Sequence, residues 1–448
     1  MNDFLTSIFA KIANKMGFTL QPKKYDTSDF FETNDLSITH AISDRLSTIT
    51  LMDSSITVSG NNKRAEYLNE FADRFWKTRI KTACVTALGT GDCLLKPNIV
   101  GENIAVDIIS NNNFCVTESI GDYIYGVLIK CDKFSKGNDI YERVEYHRLR
   151  ESSGTSNCHI YQMAFKNGNE ISLTSVDVWA EFPPEQIITN VDRLLFGRLK
   201  CPVINRDNIN GVNGVPITFG LDTIVEQAKI SYKRYNKEFE DKETKIFADK
   251  SVFSKDARTG KSYVPKGMQN LFMKIRGAID SSSIETYSPD IRDGSLENSI
   301  ERNLRMIELF IGIGEGVISK STLTYTNVDE VKASRSATFA FITNFRNGIN
   351  QCIDDLIYAV STLSNANGVT PYGEYDVAFD WSDSYMESSQ ERFNQLVQSL
   401  SLDIVDKSEV RSWVMSENLD DSKKWVDENS EPEMPEINIE ETVEENVG

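Results

Sequence analysis

Two apolar stripes at helical spacing, separated by a short glycine-bearing loop, form the clearest pattern in the chain. Apolar residues three or four positions apart share one face of an α-helix. The first stripe consists of Leu296, Ile300, Leu304, Ile307 and Ile311. The second consists of Ile342, Phe345, Ile349, Ile353, Leu356 and Val360. The spacing predicts a helix over 293–311 and a long helix from about Val328 to about residue 363.

The connection between these helices opposes a continuous helix. Gly312, Gly314 and Gly316 lie in it, and each glycine costs a helix interior about 1 kcal/mol relative to alanine. Asn327 can cap the second helix and Glu330 can reach back to it, as in a capping box. The pattern predicts a helix–loop–helix, which by periodicity alone is most typical of an ordinary helical hairpin.

The N-terminal quarter is also helical in pattern. Helical spacing recurs over 36–51 and over 63–88. Residues 1–18 place six apolar residues on one helical face: Phe4, Leu5, Ile8, Phe9, Ile12 and Met16. The segment lacks the cleavage pattern of a signal peptide. We expect this amphipathic segment to dock on protein, with an interfacial membrane helix as the alternative. No apolar run approaches the roughly 20 residues that span a bilayer.

After residues 89–91 the spacing becomes alternating. Short apolar and aromatic runs separated by Asn-, Gly- and Asp-rich turns indicate an antiparallel meander to about residue 165. Residues 167–169 (Asn-Gly-Asn) are typical of a hairpin turn. His147 and His159 lie in this region, where we expect a structural role and a pairing across a hairpin is one arrangement. Segregated helices and strands predict an α+β fold.

A Gly-, Asn- and Pro-rich linker at 211–220 precedes a helix that carries several basic residues. This helix is predicted over 221–243, and its cations are Lys229, Lys233, Arg234 and Lys237. Glutamates intermix with them, which favours a solvated surface. The alternatives are pairing with acidic residues of a neighbouring subunit and weak contacts with phosphates. Residues 244–290 lose periodicity and are predicted to form strands and turns.

The C-terminal part contains shorter elements. The pattern predicts a strand over Tyr375 to Trp381 and helices over 388–402 and 407–415. From Asp427 onward the chain is acidic, carries no basic residue and contains two prolines. Such a composition cannot bury a core, so we predict that residues 427–448 are disordered.

Composition narrows the function classes. The 448 residues include 48 basic and 67 acidic ones, a formal charge of −19, whereas tight binding to phosphates needs clustered cations. This balance argues against nucleic-acid binding over the whole surface. Seven cysteines without a CxxC pair indicate reduced, buried packing residues rather than a disulfide framework.

Candidate catalytic motifs fail on spacing. Residues 89–96 contain glycines and a lysine without the G-x-x-x-x-G-K-[ST] spacing that wraps phosphates. The glycines at 312–316 do not match G-x-G-x-x-G and follow a helix rather than a strand. The three histidines lack zinc-ligand spacing. We therefore expect no enzyme, no catalytic residues, no metal and no cofactor.

The order of several short motifs resembles the portal proteins of tailed phages, most closely those of Gram-positive hosts. The loop carries Ser319 to Thr322 (SKST), and Thr326 to Val331 (TNVDEV) is similar to the family's threonine-rich TATEV-like stretch, with one extra residue. Upstream, the family's strand motifs are matched by Gly91–Lys96 (GDCLLK), Glu145–His147 (EYH), His159–Tyr161 (HIY) and Phe196–Asn205 (FGRLKCPVIN). The likeness covers about residues 36–363 and rests on the order of weak motifs.

The resemblance implies a division of the chain into portal regions. These are a wing at 1–215, stem helices at 216–243 and 291–311, a clip at 244–290, a tunnel loop at 312–327, a long wing helix with a return strand at 328–382, a crown at 383–426 and the acidic tail at 427–448. The residues implied to face DNA in the tunnel loop are Gly314, Gly316, Ser319, Lys320, Ser321 and Thr322. The clip cations are Lys255, Arg258, Lys261 and Lys266.

The resemblance also implies a function. A homo-oligomeric ring, a dodecamer at one capsid vertex of the virion, would be assembled in the host cytoplasm and would pass double-stranded DNA non-specifically during packaging and ejection. Its expected partners are the terminase large subunit, the major capsid and scaffolding proteins and a head-completion or adaptor protein, with no membrane. The alternatives are another ring-forming connector or baseplate component and a nucleotide-dependent enzyme with a divergent phosphate loop at 89–96.

Overall fold

The computed structural model describes residues 8–13, 15, 27–33, 36–101, 103–152, 154–241, 245–249, 272–275, 284–287, 292–320, 328–381, 389–402, 404–415 and 419–429. The described helices are α1 (Ile38–Thr50), α2 (Lys63–Thr78), α3 (Ile80–Thr90), α4 (Asp222–Asp241), α5 (Asp293–Ile311), α6 (Val328–Ala366), α7 (Ser389–Ser401), α8 (Lys407–Met415) and α9 (Leu419–Asn429). The described strands are β1 (Ser55–Ser59), β2 (Asp92–Val100), β3 (Asn103–Ser110), β4 (Phe114–Ile120), β5 (Tyr123–Lys136), β6 (Asp139–Ser152), β7 (Thr155–Lys166), β8 (Asn169–Ile171), β9 (Glu185–Thr189), β10 (Gly197–Lys200), β11 (Lys245–Asp249), β12 (Phe272–Ile275), β13 (Ile284–Tyr287) and β14 (Asp376–Asp380). The mixture of helices and sheets confirms the α+β class, and the chain divides into two compact units, Met1–Ser382 and Asp383–Gly448.

The first three helices have recognisable ends. Ser37 caps α1 by accepting a hydrogen bond from the His40 N–H at 3.1 Å, and Asn62 caps α2 by accepting one from the Ala65 N–H at 3.0 Å. The predicted single helix over 63–88 is wrong in one respect, because the chain breaks at Arg79 and continues as α3. Gly91, in the left-handed conformation at φ +91°, ends α3.

The predicted antiparallel meander is present as two sheets. One has the order β10–β2–β3, and the other has the order β4–β5–β6–β7–β8 with β9 also paired to β7. The hairpin between β7 and β8 turns at Asn167 and Gly168, both with positive φ, which confirms the predicted turn. His147 lies opposite Ile160 and His159 opposite Arg148, so the two histidines do not pair with each other.

The N-terminal segment packs on the larger sheet. Residues 8–13 are helical, and the buried side chains of Ile8 and Ile12 belong to one core cluster with Leu128 and Tyr146 of that sheet. The burial of Ile8, Phe9 and Ile12 confirms, for the described residues, the prediction that the segment docks on protein. The other residues of the predicted face, Phe4, Leu5 and Met16, lie outside the described residues. Within the described part of the chain, no helix is both long and apolar enough to cross a membrane.

The long helix α6 begins and ends close to its predicted limits and forms much of the remaining core. All six residues of its predicted apolar stripe are buried, from Ile342 to Val360. The predicted return strand is β14, which pairs antiparallel with β1. The sequence pattern did not predict β1, which has the same length of five residues as β14.

Helices α4 and α5 form an antiparallel pair. Arg292 contacts Glu238 through two hydrogen bonds of 3.0 Å at one end, and the hydroxyls of Ser231 and Ser299 lie 3.3 Å apart farther along. Between the two helices, β11 pairs parallel with β12 and antiparallel with β13. These strands agree with the strands predicted within 244–290.

The second unit contains α7, α8 and α9. The first two confirm the predicted helices, and the Arg411 guanidinium of α8 stacks 3.8 Å from the centre of the Trp425 ring of α9. The prediction that disorder begins at Asp427 is wrong, because α9 continues to Asn429. The rest of the predicted tail, residues 430–448, lies outside the described residues.

Candidate functional site

The loop after α5 begins at a glycine that the helix end requires. Gly312 has φ +84°, and its N–H donates to the carbonyl oxygens of Glu308 at 3.0 Å and Leu309 at 3.2 Å. The N–H of Ile313 donates to the Glu308 carbonyl oxygen at 3.1 Å. These bonds satisfy carbonyl groups that a helix end leaves free, and the left-handed residue turns the chain away from the helix axis.

The loop folds around the side chain of Glu308, which is buried in spite of its charge. Its Oε1 accepts hydrogen bonds from the N–H groups of Ile318 at 2.7 Å and Ser319 at 3.0 Å. Its Oε2 accepts from the Ser319 hydroxyl at 2.6 Å and from the Gly316 N–H at 3.3 Å. Four donors from one short segment compensate the desolvation of this carboxylate. The loop is therefore held by a residue of the helix that precedes it.

A second contact fixes the loop to α6. The Gly314 N–H donates to the hydroxyl of Thr338, a fully buried residue of α6, at 2.8 Å. The side chains of Ile313 and Val317 are buried as well. The loop thus has its own small apolar contacts and joins α5 to α6.

Lys320 is the exposed cation of the loop, with 71% of its side chain accessible. Its ammonium group forms an ion pair with Glu297, and its N–H donates to Glu301 Oε2 at 2.7 Å. The hydrogen bond that Lys320 donates to Glu297 raises the pKa of Lys320. Both carboxylates belong to α5, so the charge of Lys320 is neutralised within its own chain.

The predicted tunnel-loop residues therefore occupy different environments. Ser319 is buried on Glu308, Gly314 and Gly316 are half-buried, and Lys320 is exposed. Ser321 and Thr322 lie outside the described residues. So do Asn327, which was predicted to cap α6, and the four predicted clip cations Lys255, Arg258, Lys261 and Lys266.

The predicted basic surface of α4 is less uniform than its sequence indicates. Lys229 is largely buried and forms an ion pair with Asp29. Lys233, Arg234 and Lys237 are exposed. Lys229 is thus a contact between α4 and the segment before α1, which the helical pattern alone did not reveal.

A further charged cluster lies in a cleft of about 790 Å³ between β2–β3 and the larger sheet. At its floor, the Glu145 carboxylate of β6 contacts Lys96 Nζ at 2.7 Å, Arg143 Nη1 at 2.6 Å and His147 Nε2 at 2.9 Å. All four side chains are buried. The sequence analysis missed this cluster because Lys96 and Glu145 are distant along the chain.

The environment of the cluster sets its ionisation. Burial raises the pKa of Glu145, but the hydrogen bond from His147 and the charge of Lys96 outweigh it and hold the pKa well below its usual range. Burial lowers the pKa of His147, and burial raises the pKa of the neighbouring Cys131 thiol to about 12. The cluster therefore combines a carboxylate, two cations and a neutral imidazole, which link the two sheets.

The structure also shows the roles of Gly91 and Lys96 in the segment at 89–96. Gly91 ends α3, and the Lys96 side chain forms an ion pair with Glu145. His159 contacts Glu185 at 2.9 Å, so each strand histidine is bound to a carboxylate. Among the described residues, no group of three or more His, Cys, Asp or Glu side chains is placed to hold a metal ion.

Comparison with known proteins gives no family assignment: neither the protein-family models nor the curated proteins contain a match to this chain.

Proposed function

We propose that the protein is a subunit of a phage portal, a ring through which double-stranded DNA enters and leaves the capsid. The observation that carries this proposal is the antiparallel pair α4–α5, which leads through the loop held by Glu308 into the 39-residue helix α6. This order of elements agrees with the stem helices, tunnel loop and long wing helix that the motif resemblance implies. The sheets of β2–β10 then correspond to the wing, β11–β13 to the clip and α7–α8 to the crown.

Exposed apolar side chains on the stem pair support assembly into a ring. Leu309 and Phe310 follow Met306 on α5 by three and four positions, about one turn, and the three side chains are 69%, 58% and 39% exposed, respectively. Large apolar groups grouped in this way are characteristic of protein contact surfaces. A neighbouring copy would cover them in a closed ring built from head-to-tail contacts.

The net negative charge of the chain supports a channel through which DNA slides rather than one that binds DNA tightly. A net charge of −19 per subunit is multiplied around a ring, and like charge weakens adhesion of the DNA phosphates to the wall. The resemblance assigns ATP hydrolysis to a separate terminase, which would dock on the clip. It also assigns the capsid, scaffolding and head-completion proteins as the other partners of the ring.

Electron microscopy of the purified protein tests the proposal directly. We expect rings of about twelve subunits with a central opening about as wide as a DNA duplex. A monomer or a small closed dimer, at concentrations where rings should form, would overturn the portal assignment. A ring without DNA-packaging activity in an assay with terminase would instead favour another connector component.

Substitution of the apolar patch tests the ring contact. Leu309→Asp and Phe310→Asp each place a charge on the proposed interface, so the ring fraction in size-exclusion chromatography should fall at least about tenfold. The matched control is Ile120→Asp, since Ile120 is 72% exposed and belongs to the wing sheet. Equal losses in all three variants would show that the patch is not the ring contact.

A further inference from the structure

The tunnel loop contains two groups that ordinarily bind phosphate, and both are occupied by carboxylates of α5. One group is the set of N–H donors of Gly316, Ile318 and Ser319, together with the Ser319 hydroxyl. The other is the ammonium group of Lys320. Clustered backbone N–H groups and lysine are common binding groups for phosphate oxygens.

The occupants are negatively charged oxygens that accept hydrogen bonds, as phosphate oxygens do. Glu308 Oε1 and Oε2 each accept two hydrogen bonds, at distances from 2.6 to 3.3 Å. Glu297 neutralises Lys320 at the surface of the loop. A phosphate oxygen that approached the loop would meet a donor set already filled by an anion of the same chain.

Resting on the portal function, we propose that residues 316–320 of the tunnel loop are autoinhibited toward DNA phosphate, because Glu308 and Glu297 compete with phosphate for their donors. The loop then guides the duplex without retaining it, because a phosphate gains no new partner unless a carboxylate is displaced. In a ring, each subunit neutralises its own Lys320. One weak contact with DNA phosphate is therefore absent from every subunit, and the summed loss of DNA affinity is large. The loop thus has a phosphate-binding capacity that is normally suppressed.

Fluorescence anisotropy with a short labelled DNA duplex tests the proposal on the assembled full-length protein. Glu297→Gln frees Lys320, so we expect DNA affinity at least about threefold higher and a plot of log K against log salt steeper by about 0.9 for each added phosphate contact. Glu308→Gln removes the negative charge from the loop donors and should act in the same direction but by a smaller factor, because Glu308 and Ser319 are buried. The charge-matched control is Glu70→Gln, a change at an exposed glutamate of α2.

A double substitution separates the loop from general electrostatics. Lys320→Ala should change affinity little in the wild-type background, where Glu297 neutralises the lysine, but should abolish the gain of Glu297→Gln. Circular dichroism shows whether Glu308→Gln remains folded, while the exposed position of Glu297 keeps its variant informative in either case. If Glu297→Gln binds DNA no more tightly than Glu70→Gln, the autoinhibition is overturned.

Microscopy of the same samples distinguishes this result from a failure of the portal function. Rings with unchanged affinity in the loop variants would overturn the autoinhibition and leave the portal assignment intact. Particles without a ring would overturn the portal assignment, while the comparison of Glu297→Gln with Glu70→Gln would still decide whether the loop binds phosphate.

Discussion

Glu308 receives two hydrogen bonds from Ser319, one from its hydroxyl at 2.6 Å and one from its N–H at 3.0 Å. The contact joins a helix residue to a loop residue eleven positions later. It closes the segment between them into a compact unit and orients the chain toward Lys320. The position of the exposed cation is therefore set by a buried carboxylate.

Removal of that carboxylate should destabilise the protein more than removal of its exposed neighbour. Glu308→Ala leaves several buried donors without an acceptor, and we expect the free energy of unfolding to fall by about 3 kcal/mol. Glu297→Ala removes an exposed ion pair and should change it by no more than about 0.5 kcal/mol. Urea unfolding followed by circular dichroism measures both free energies of unfolding. Equal effects would contradict the conclusion that Glu308 holds the loop.

Two glycines with left-handed backbones should differ in their tolerance of alanine. At Gly312 an added Cβ meets nothing within 4 Å, so Gly312→Ala should cost only the backbone strain of about 1–2 kcal/mol. At Gly91 the Cβ would lie 2.4 Å from the Val215 carbonyl carbon, so Gly91→Ala should cost roughly 2–5 kcal/mol. Thermal unfolding of the two variants ranks them, and a larger loss at Gly312 would refute this account.

The buried cluster around Glu145 should make the fold sensitive to acid. Burial lowers the pKa of folded His147 below its ordinary value of 6.5, so the unfolded chain binds this proton first and stability declines as pH falls through 6.5. The pKa of folded Glu145 is lowered by His147 and Lys96 in spite of its burial. Its contribution is present above the ordinary value of 4.5 and is lost as pH falls below that value.

Urea titrations from about pH 7 to about pH 4 check this dependence. Each proton taken up on unfolding contributes a slope of at most about 1.4 kcal/mol per pH unit. His147→Gln removes one titrating group, so its curve should be flatter just below pH 6.5. The decline below pH 4.5 should be smaller but still present, because Lys96 continues to lower the pKa of Glu145. Parallel curves for the variant and the wild type would show that His147 does not contribute.

The cysteines should be unreactive in the folded protein. All seven are free thiols, six of them buried, in agreement with the packing role predicted from the sequence. Burial raises the pKa of Cys158, like that of Cys131, to about 12, and thiolate is the reactive form. Titration with a disulfide reagent should therefore be slow for the native protein and give seven thiols in denaturant. Rapid reaction of several native thiols would contradict their burial.

Local pattern was sufficient for much of the fold. The limits of α5 and α6, the turn at 167–168 and the docking of the N-terminal segment all follow from residues close together in sequence. Helical spacing, alternation and turn glycines are patterns of residues that are close together in the sequence, so the sequence alone predicts the structures they form. These patterns did not predict β1, whose partner β14 lies more than 300 residues away.

The loop around Glu308 shows most clearly what local sequence pattern cannot predict. Its charge would mark Glu308 as a surface residue and their apolar side chains would mark Leu309 and Phe310 as buried, yet the structure buries the first and exposes the other two. Sequence determined that a helix, a glycine loop and a second helix follow one another. The tertiary structure decided which carboxylates the loop encloses and which charges meet, as in Lys96 with Glu145 and Lys229 with Asp29. Burial of a charge depends on partners that distant segments bring to it, and those partners are not encoded in the local spacing of residues.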